Sequence, residues 1–320
     1  MHTVKKLIAS ELEYFEQYFE HAFTSDTLLL DKILAYLKKR KGKQVRPIFV
    51  LLCAKLGGEI NDRSYRAALF VEMLHISSLV HDDLVDDSLE RRGAPSVNAL
   101  WKNRMAVLTG DNLFTKSILL LLQQQDHQVL KIFSAAIGKV IEGELLQMEK
   151  ARKLNKDESV YFEIIKSKTA TLLAAACAAG GATTFTDEAS VDLLYKFGEK
   201  AGIAFQIKDD LLDYGSADIG KPRGNDIKEQ KITLPLLYTL NNCSVKERRD
   251  LVYIIKHKNT DQQYIDQLID TVKASGGIHY AEEKMLLLKN EALQMLDRFS
   301  LPPVQAALEE LVHFITERTY

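Results

Sequence analysis

Proline is the residue whose placement most restricts what this chain can fold into. Only 6 prolines occur in 320 residues, and Pro47, Pro95, Pro222, Pro235, Pro302 and Pro303 all stand at segment starts or in turns. The long intervals between them suit helices, because an interior proline removes a backbone hydrogen bond and collides with the preceding turn. Within those intervals apolar residues recur at three- and four-residue steps. Phe70, Val71, Leu74, Leu79 and Val80, between Asp62 and Asp87, form one such series. Segments near 103–125, 127–152, 157–184, 187–214, 260–275 and 278–298 read the same way. Strict period-two alternation, which half-buried strands require, is hard to find. No low-complexity run or Gly/Ser linker breaks the chain. The expected fold class is therefore all-α, one domain over 1–320 packed as a bundle of about ten or more helices.

Charge excludes some partners. A formal net charge of -2 gives no general basic face for nucleic acid, so affinity for anions must come from local clusters. No uninterrupted apolar run reaches eighteen residues, and the N-terminus lacks a signal-peptide core, so stable membrane insertion is not expected. Cys53, Cys177 and Cys243 are odd in number and scattered, as reduced thiols of a cytoplasmic protein would be.

Two loops are long enough to carry chemistry. One, about Lys39 to Pro47, is rich in cations. The other, Tyr214 to Pro235, holds Gly220, Lys221, Pro222, Arg223, Lys228 and Lys231 and follows an acidic helix end, as a lid over an anion would. The sharpest signal is His81-Asp82-Asp83-Leu84-Val85-Asp86-Asp87. On a helix Asp82 and Asp86 share a face, about 6 Å apart. Carboxylates so placed repel unless a cation lies between them, and hard Mg²⁺ prefers such oxygen donors. Taken singly, this is an ordinary solvated acidic helix end. A second copy with the same spacing, Asp209-Asp210-Leu211-Leu212-Asp213, closes another apolar segment and makes coincidence a poor account. Arg91-Arg92-Gly93 follows the first motif, and Lys43, Arg46, Lys168 and Lys221 come from separate segments. Paired acids and guanidinium forks together are what a Mg²⁺–diphosphate complex needs.

In these motifs and their order the chain resembles the trans-isoprenyl diphosphate synthases over nearly its whole length. Further matches are Gly42-Lys43-Gln44-Val45-Arg46-Pro47, Glu72-Met73-Leu74-His75, Gly143-Glu144-Leu145-Leu146-Gln147, Lys168-Thr169, Phe205 to Asp213, and Gly220-Lys221-Pro222. The resemblance implies helices around a central cavity and condensation of isopentenyl diphosphate with an allylic diphosphate. It implies that Lys43, Arg46, His75 and Arg92 hold isopentenyl diphosphate, and that Arg91, Lys168, Thr169, Gln206 and Lys221 hold the allylic substrate. Asp82, Asp86 and Asp209 would be the principal Mg²⁺ ligands, with Asp83, Asp210 and Asp213 in support. Two departures stand out. Gln44 replaces an arginine of the family's first loop, with Lys41 the nearest compensating charge. Gln230 stands where a glycine precedes Lys231, which leaves Lys231 unassigned.

Product length should be written before the first acidic motif. Ser77 and Ser78 lie one turn below Asp82, and Leu74, Val71 and Phe70 two or three turns below it, roughly 10–18 Å along the axis. Small side chains there leave a pocket open, although they equally suit close helix packing. By family analogy the product has six to ten isoprene units, of the kind used for quinone side chains such as menaquinone, from a homodimer or a heteromer with a small non-catalytic subunit. A short-chain geranylgeranyl synthase is the alternative. Rival classes fit less well. Glu72-x-x-His75 and Glu310-x-x-His313 fit a di-iron bundle, which leaves both aspartate motifs unexplained. A terpene cyclase would ordinarily lack the second motif and the Lys43/Arg46 loop, and a non-catalytic binding subunit would be expected to have lost its acids.

Overall fold

A computed structural model describes residues 1–151, 157–215 and 224–318. In chain order they form α1 (His2–Leu7), α2 (Ala9–Ala22), α3 (Leu28–Lys39), α4 (Val45–Gly57) and α5 (Asp62–Val85). A hairpin of two-residue strands follows, β1 (Glu90–Arg91) and β2 (Ala94–Pro95), then α6 (Val97–Gln123), α7 (His127–Ala151) and α8 (Glu158–Ile165). A π-helical turn, Lys166–Ala170, leads into α9 (Thr171–Ala182), α10 (Glu188–Leu212) and α11 (Asn225–Lys228). The chain ends in α12 (Leu234–Asn242), α13 (Val245–His257), α14 (Gln262–Ala274), α15 (Gly277–Leu296) and α16 (Pro302–Thr316). The all-α class is as the periodicity predicts; among the described residues the hairpin is the one sheet. The chain falls into two compact units.

The first unit comprises Met1–Ala135, Ala175–Tyr195 and Phe299–Leu311. Its central helix is α5, started by Asn61, whose side chain accepts from the Arg63 and Ser64 N–H groups while Ser64 Oγ accepts from the Asn61 N–H. That reciprocal cap fixes where the helix begins. From Arg66 to Leu74 every α5 residue is buried, so the helix is enclosed on all sides, with α4 and α6 against it. Contact with α6 is close: Ser77 Oγ donates to the Gly110 carbonyl at 2.8 Å, and a Cβ on Gly110 would fall 2.2 Å from His81 Nε2, so the His81 ring would have to move. Phe15, Phe19 and Phe23 of the N-terminal segment are buried, the last two stacked 4.3 Å apart. Each such ring contributes about 1.5–3 kcal/mol by leaving water. By length and mean hydropathy (1.4 over eighteen residues) α6 would suffice to cross a membrane, and a third of that window is buried. An uninterrupted-run criterion misses it because Arg104, Asp111 and Lys116 punctuate the helix.

The second unit comprises Ala136–Ala174, Lys196–Arg298 and Val312–Tyr320. One apolar cluster joins Tyr161, Ile165, Ala170, Ile203 and Ile207 to Leu234 and Leu237; another gathers Tyr214, Ile227, Leu251, Ile254, Ile265 and Leu268. Helix α10 reaches the π turn because Gly202 has no side chain: a Cβ there would lie 2.6 Å from Ala170 Cα. This approach sets Thr169 opposite Gln206.

Candidate active site

In the first unit the C-terminal turn of α5 carries the first acidic motif. Asp82 and Asp86 are exposed and Asp83 is buried, the alternation that helical geometry imposes on a DDxxD sequence. Asp83 accepts from Arg91 Nε at 2.7 Å, and burial raises its pKa against the lowering effect of that arginine. Arg92 and Gly93 form the hairpin tip, both at positive φ (53° and 69°), as a two-residue turn of this hand requires. The turn sends Arg92 away from Arg91, and its Nη1 donates to the Arg40 carbonyl at 3.2 Å. A cleft here is lined by His75, Asp83, Arg91 and Arg92 of the expected residues, with Glu72, Arg40 and Lys41 in addition. Burial pushes the Glu72 carboxyl up to about 7 against the opposing charges of Arg46 and Arg92. Burial, with Arg46, Arg92 and Arg91 nearby, holds His75 well below its ordinary value, so it faces the cleft neutral. Arg46 thus acts on this cleft through its field, whereas Lys43 lines a separate hollow with Met1, Phe15 and Gln44.

In the second unit the C-terminal turn of α10 carries the other motif. Asp209 pairs with the Arg318 guanidinium, which lies 4.3 Å from the Phe205 ring centroid. Asp210 is buried and turned inward, accepting from Tyr161 Oη at 2.7 Å and Gln206 Nε2 at 3.0 Å. Gln206 Oε1 accepts in turn from Thr169 Oγ1 at 2.8 Å, so Tyr161, Asp210, Gln206 and Thr169 form one hydrogen-bonded chain. Burial raises Asp210 to about 6, against the hydrogen bonds from Gln206 and Tyr161 that favour its charge. Asp213 accepts from the backbone N–H groups of Asn225 and Asp226, at 2.8 and 3.0 Å, and so anchors the start of α11. Lys168 projects from the π turn, a feature that often marks functional positions. It is held by Glu144 at 2.7 Å and Gln147, and a Cβ on Gly143 would strike Ser167 at 2.6 Å. The Gly143-to-Gln147 motif therefore seats the lysine. A cavity brings Lys168, Thr169, Gln206 and Asp210 together with Asp226 and Lys231. Lys221 lies outside the described residues.

Several participants went unassigned in the sequence. Tyr161 stands seven residues before Lys168 with a π turn in between, and nothing local in the sequence ties it to Asp210. Asp226, which burial and then the charges of Asp210 and Asp213 push up to about 8, follows a loop and gives no periodic signal. Lys231 does line the cavity, and Gln230 before it adopts φ 56°, the left-handed conformation glycine would have taken. Of the chain-length residues, Ser78 Oγ donates to the His75 carbonyl at 2.9 Å, Ser77 is committed to Gly110, and Leu74 is buried. Below them Phe70 stacks on Phe133, centroids 4.6 Å apart. The di-iron pattern does not assemble: Glu310 is engaged by the N-terminal amine and the His2 and Val4 N–H groups, and His313 pairs with Glu317.

Both acidic motifs end helices by their C-termini, where the backbone already carries partial negative charge. Added carboxylates are unfavourable there unless a cation joins them, and the outward oxygens of Asp82 and Asp86 are hard donors that suit Mg²⁺. Among the described residues no three His, Cys, Asp or Glu side chains converge on one point, so a metal here would take the rest of its shell from water or diphosphate oxygens. The donor set fits a metal held together with its anionic ligand.

An all-α fold with acidic helix ends, cationic clefts and neutral dipoles beside them defines a class: helical proteins suited to binding diphosphates. A family model described as polyprenyl synthetase matches residues 27–272. The chain is 32% identical over 313 residues to the heptaprenyl diphosphate synthase component 2 of Bacillus subtilis (strain 168), covering 97% of this chain and 88% of that one. The crystal structure of a decaprenyl diphosphate synthase from Rhodobacter capsulatus superposes with a TM-score of 0.93 at 31% identity, covering 99% and 98% of the two chains. That of a polyprenyl synthase from Caulobacter crescentus CB15, complexed with calcium and isoprenyl diphosphate, gives 0.92 at 31% identity, covering 100% and 98%. The chain belongs to the polyprenyl synthetase family.

Proposed function

We propose that this protein is a trans-prenyltransferase that condenses isopentenyl diphosphate with an allylic prenyl diphosphate to make a medium- or long-chain polyprenyl diphosphate. The observation that carries the reading is the repeated design of the two acidic helix ends. In each, the first aspartate lies toward the surface and the second is anchored inward, to Arg91 in one unit and to Tyr161 and Gln206 in the other. We assign Asp82, Asp86 and Asp209 as principal metal ligands, with Asp83, Asp210 and Asp213 supporting them through those inward bonds. Bound Mg²⁺ would supply Lewis-acid neutralisation of the leaving diphosphate.

Lys168, Arg91 and Lys221 bind and neutralise the allylic diphosphate as its C–O bond breaks. Thr169 and Gln206 present dipoles to the allylic cation, and neither is nucleophilic enough to trap it. Their mutual hydrogen bond and the Asp210 anchor hold both in place. His75, neutral beside Arg46 and Arg92, donates a hydrogen bond to isopentenyl diphosphate without adding charge. Lys43, assigned to the same diphosphate, lines a separate hollow here and would have to turn toward the cleft to reach it. The isopentenyl double bond attacks the cation, and the proton then lost passes to the departed diphosphate, since no basic side chain is assigned to that step. Ser77, Ser78 and Leu74 line the path of the growing chain, with the Phe70–Phe133 stack beneath them. We read the product as six to ten isoprene units, formed in the cytoplasm for a quinone side chain.

Purified chain incubated with Mg²⁺, radiolabelled isopentenyl diphosphate and an allylic primer should incorporate label into products of that length, and EDTA should stop it. Absence of incorporation, with or without a partner chain, overturns the reading. The printed name "component 2" of the Bacillus subtilis relative supports a second form of it, in which the chain needs a small partner. Silence of the purified chain followed by rescue on adding the partner selects that form.

A further inference from the structure

The cleft of the first unit holds more positive charge than its motif residues provide. Besides His75, Arg91 and Arg92, its wall includes Arg40 and Lys41, set against the carboxyl groups of Asp83, which pairs with Arg91, and Glu72. These two cations differ in what they already bind. Lys41 is taken up by the Glu16 carboxylate, whereas among the described residues no carboxylate pairs with the Arg40 guanidinium. Arg40 instead rests over the Tyr36 ring, 5.7 Å from its centroid. That ring is fixed twice: its hydroxyl donates to the Pro95 carbonyl at 2.5 Å, and Trp101 packs edge-on at 5.3 Å. The Arg40 carbonyl accepts from Arg92, and a Cβ on Gly42 would fall 2.6 Å from the same Arg92 Nη1. Residues 40–42 are thus moulded around Arg92, which brings the two arginines to one wall. Gln44 goes elsewhere. It adopts φ 49° and lines the hollow shared by Met1, Phe15 and Lys43.

We propose that Arg40 binds the diphosphate of isopentenyl diphosphate in this cleft, supplying a guanidinium that Gln44 does not. The proposal rests on the prenyltransferase reading above. A guanidinium fork matches phosphate oxygens two at a time, and one already perched on a fixed ring loses little rotamer freedom on binding. Lysine at the same place keeps the charge and loses the fork. Tyr36 is then a positioning residue, acting through Arg40.

Calorimetric titration of the purified full-length chain with isopentenyl diphosphate needs neither turnover nor a partner. Arg40→Ala should raise Kd about tenfold and Arg40→Lys about threefold, with Tyr36→Leu between them. Arg40 is exposed, so the thermal midpoint of Arg40→Ala should match the parent's. Titration with a non-reactive allylic thiodiphosphate should give the same Kd in parent and Arg40→Ala. A parent-like Kd for isopentenyl diphosphate in Arg40→Ala overturns the role of Arg40 and leaves the prenyltransferase reading standing. Equal weakening toward both ligands overturns its assignment to the isopentenyl site. A parent that binds isopentenyl diphosphate not at all defeats both.

Discussion

Asp82 and Asp209 sit in the last turns of α5 and α10, at the negative ends of two helix dipoles. Function, not stability, explains acids in such positions, and the two can be separated. In EDTA, Asp82→Asn should unfold at a slightly higher temperature than the parent, a gain of a few tenths to about 1 kcal/mol. With Mg²⁺ the same variant should lose at least about a hundredfold in kcat. A drop in metal-free stability would contradict this. Glu72 offers a pH test away from the acidic motifs. Its carboxyl is raised from an ordinary 4.5 to about 7, so the folded state holds a proton that the unfolded state releases. Its contribution is therefore fully present below about 4.5 and is lost as pH rises to 7, by up to about 3 kcal/mol. Glu72→Gln should remove that decline, read as the difference between the two proteins' stability curves at pH 5 and pH 8. At this scale the sequence was readable wherever charge repeated with fixed spacing. It was silent where one buried group serves another: nothing local ties Tyr161 to Asp210, and Arg318 meets Asp209 from the far end of the chain.

Helices were legible because each buries a face at the helical period, and most boundaries near 62, 127, 188 and 277 follow from it. What escaped were elements too short to have a period. The β1–β2 hairpin contains two residues per strand, yet its positive-φ tip is what sends Arg91 to Asp83 and Arg92 to Arg40. The π turn at Lys166–Ala170 is likewise invisible to a pattern that reads Lys168 and Thr169 as plain helix. Gln230 departs from the family pattern while keeping glycine's backbone, at a cost of about 1–2 kcal/mol. Gln230→Gly should recover about 1 kcal/mol in a denaturant titration without altering product length; no gain would show that the side chain is compensated elsewhere. On α5, Ser78→Phe should shorten the products, measured by chromatography after dephosphorylation, because an aromatic ring would block the helix face one turn below Asp82. An unchanged distribution would remove Ser78 from the length-setting residues.

At the scale of the molecule, the division into two units left no mark in composition, since no linker separates them and each unit draws on several distant segments of the chain. What each unit contributes can still be stated. One offers Asp82 and Asp86 on the helix turn whose Asp83 lines a cationic cleft; the other offers Asp209 next to Asp210, which lines a cavity with Lys168, Thr169 and Gln206. In the proposed reaction each set meets metal-bound diphosphate. The decisive measurement is anomalous diffraction from crystals grown with Mn²⁺ and a non-reactive allylic thiodiphosphate. Manganese peaks at Asp82/Asp86 and at Asp209, each with diphosphate oxygens in its shell, are the expected result. A motif left without manganese while the thiodiphosphate is bound would contradict it.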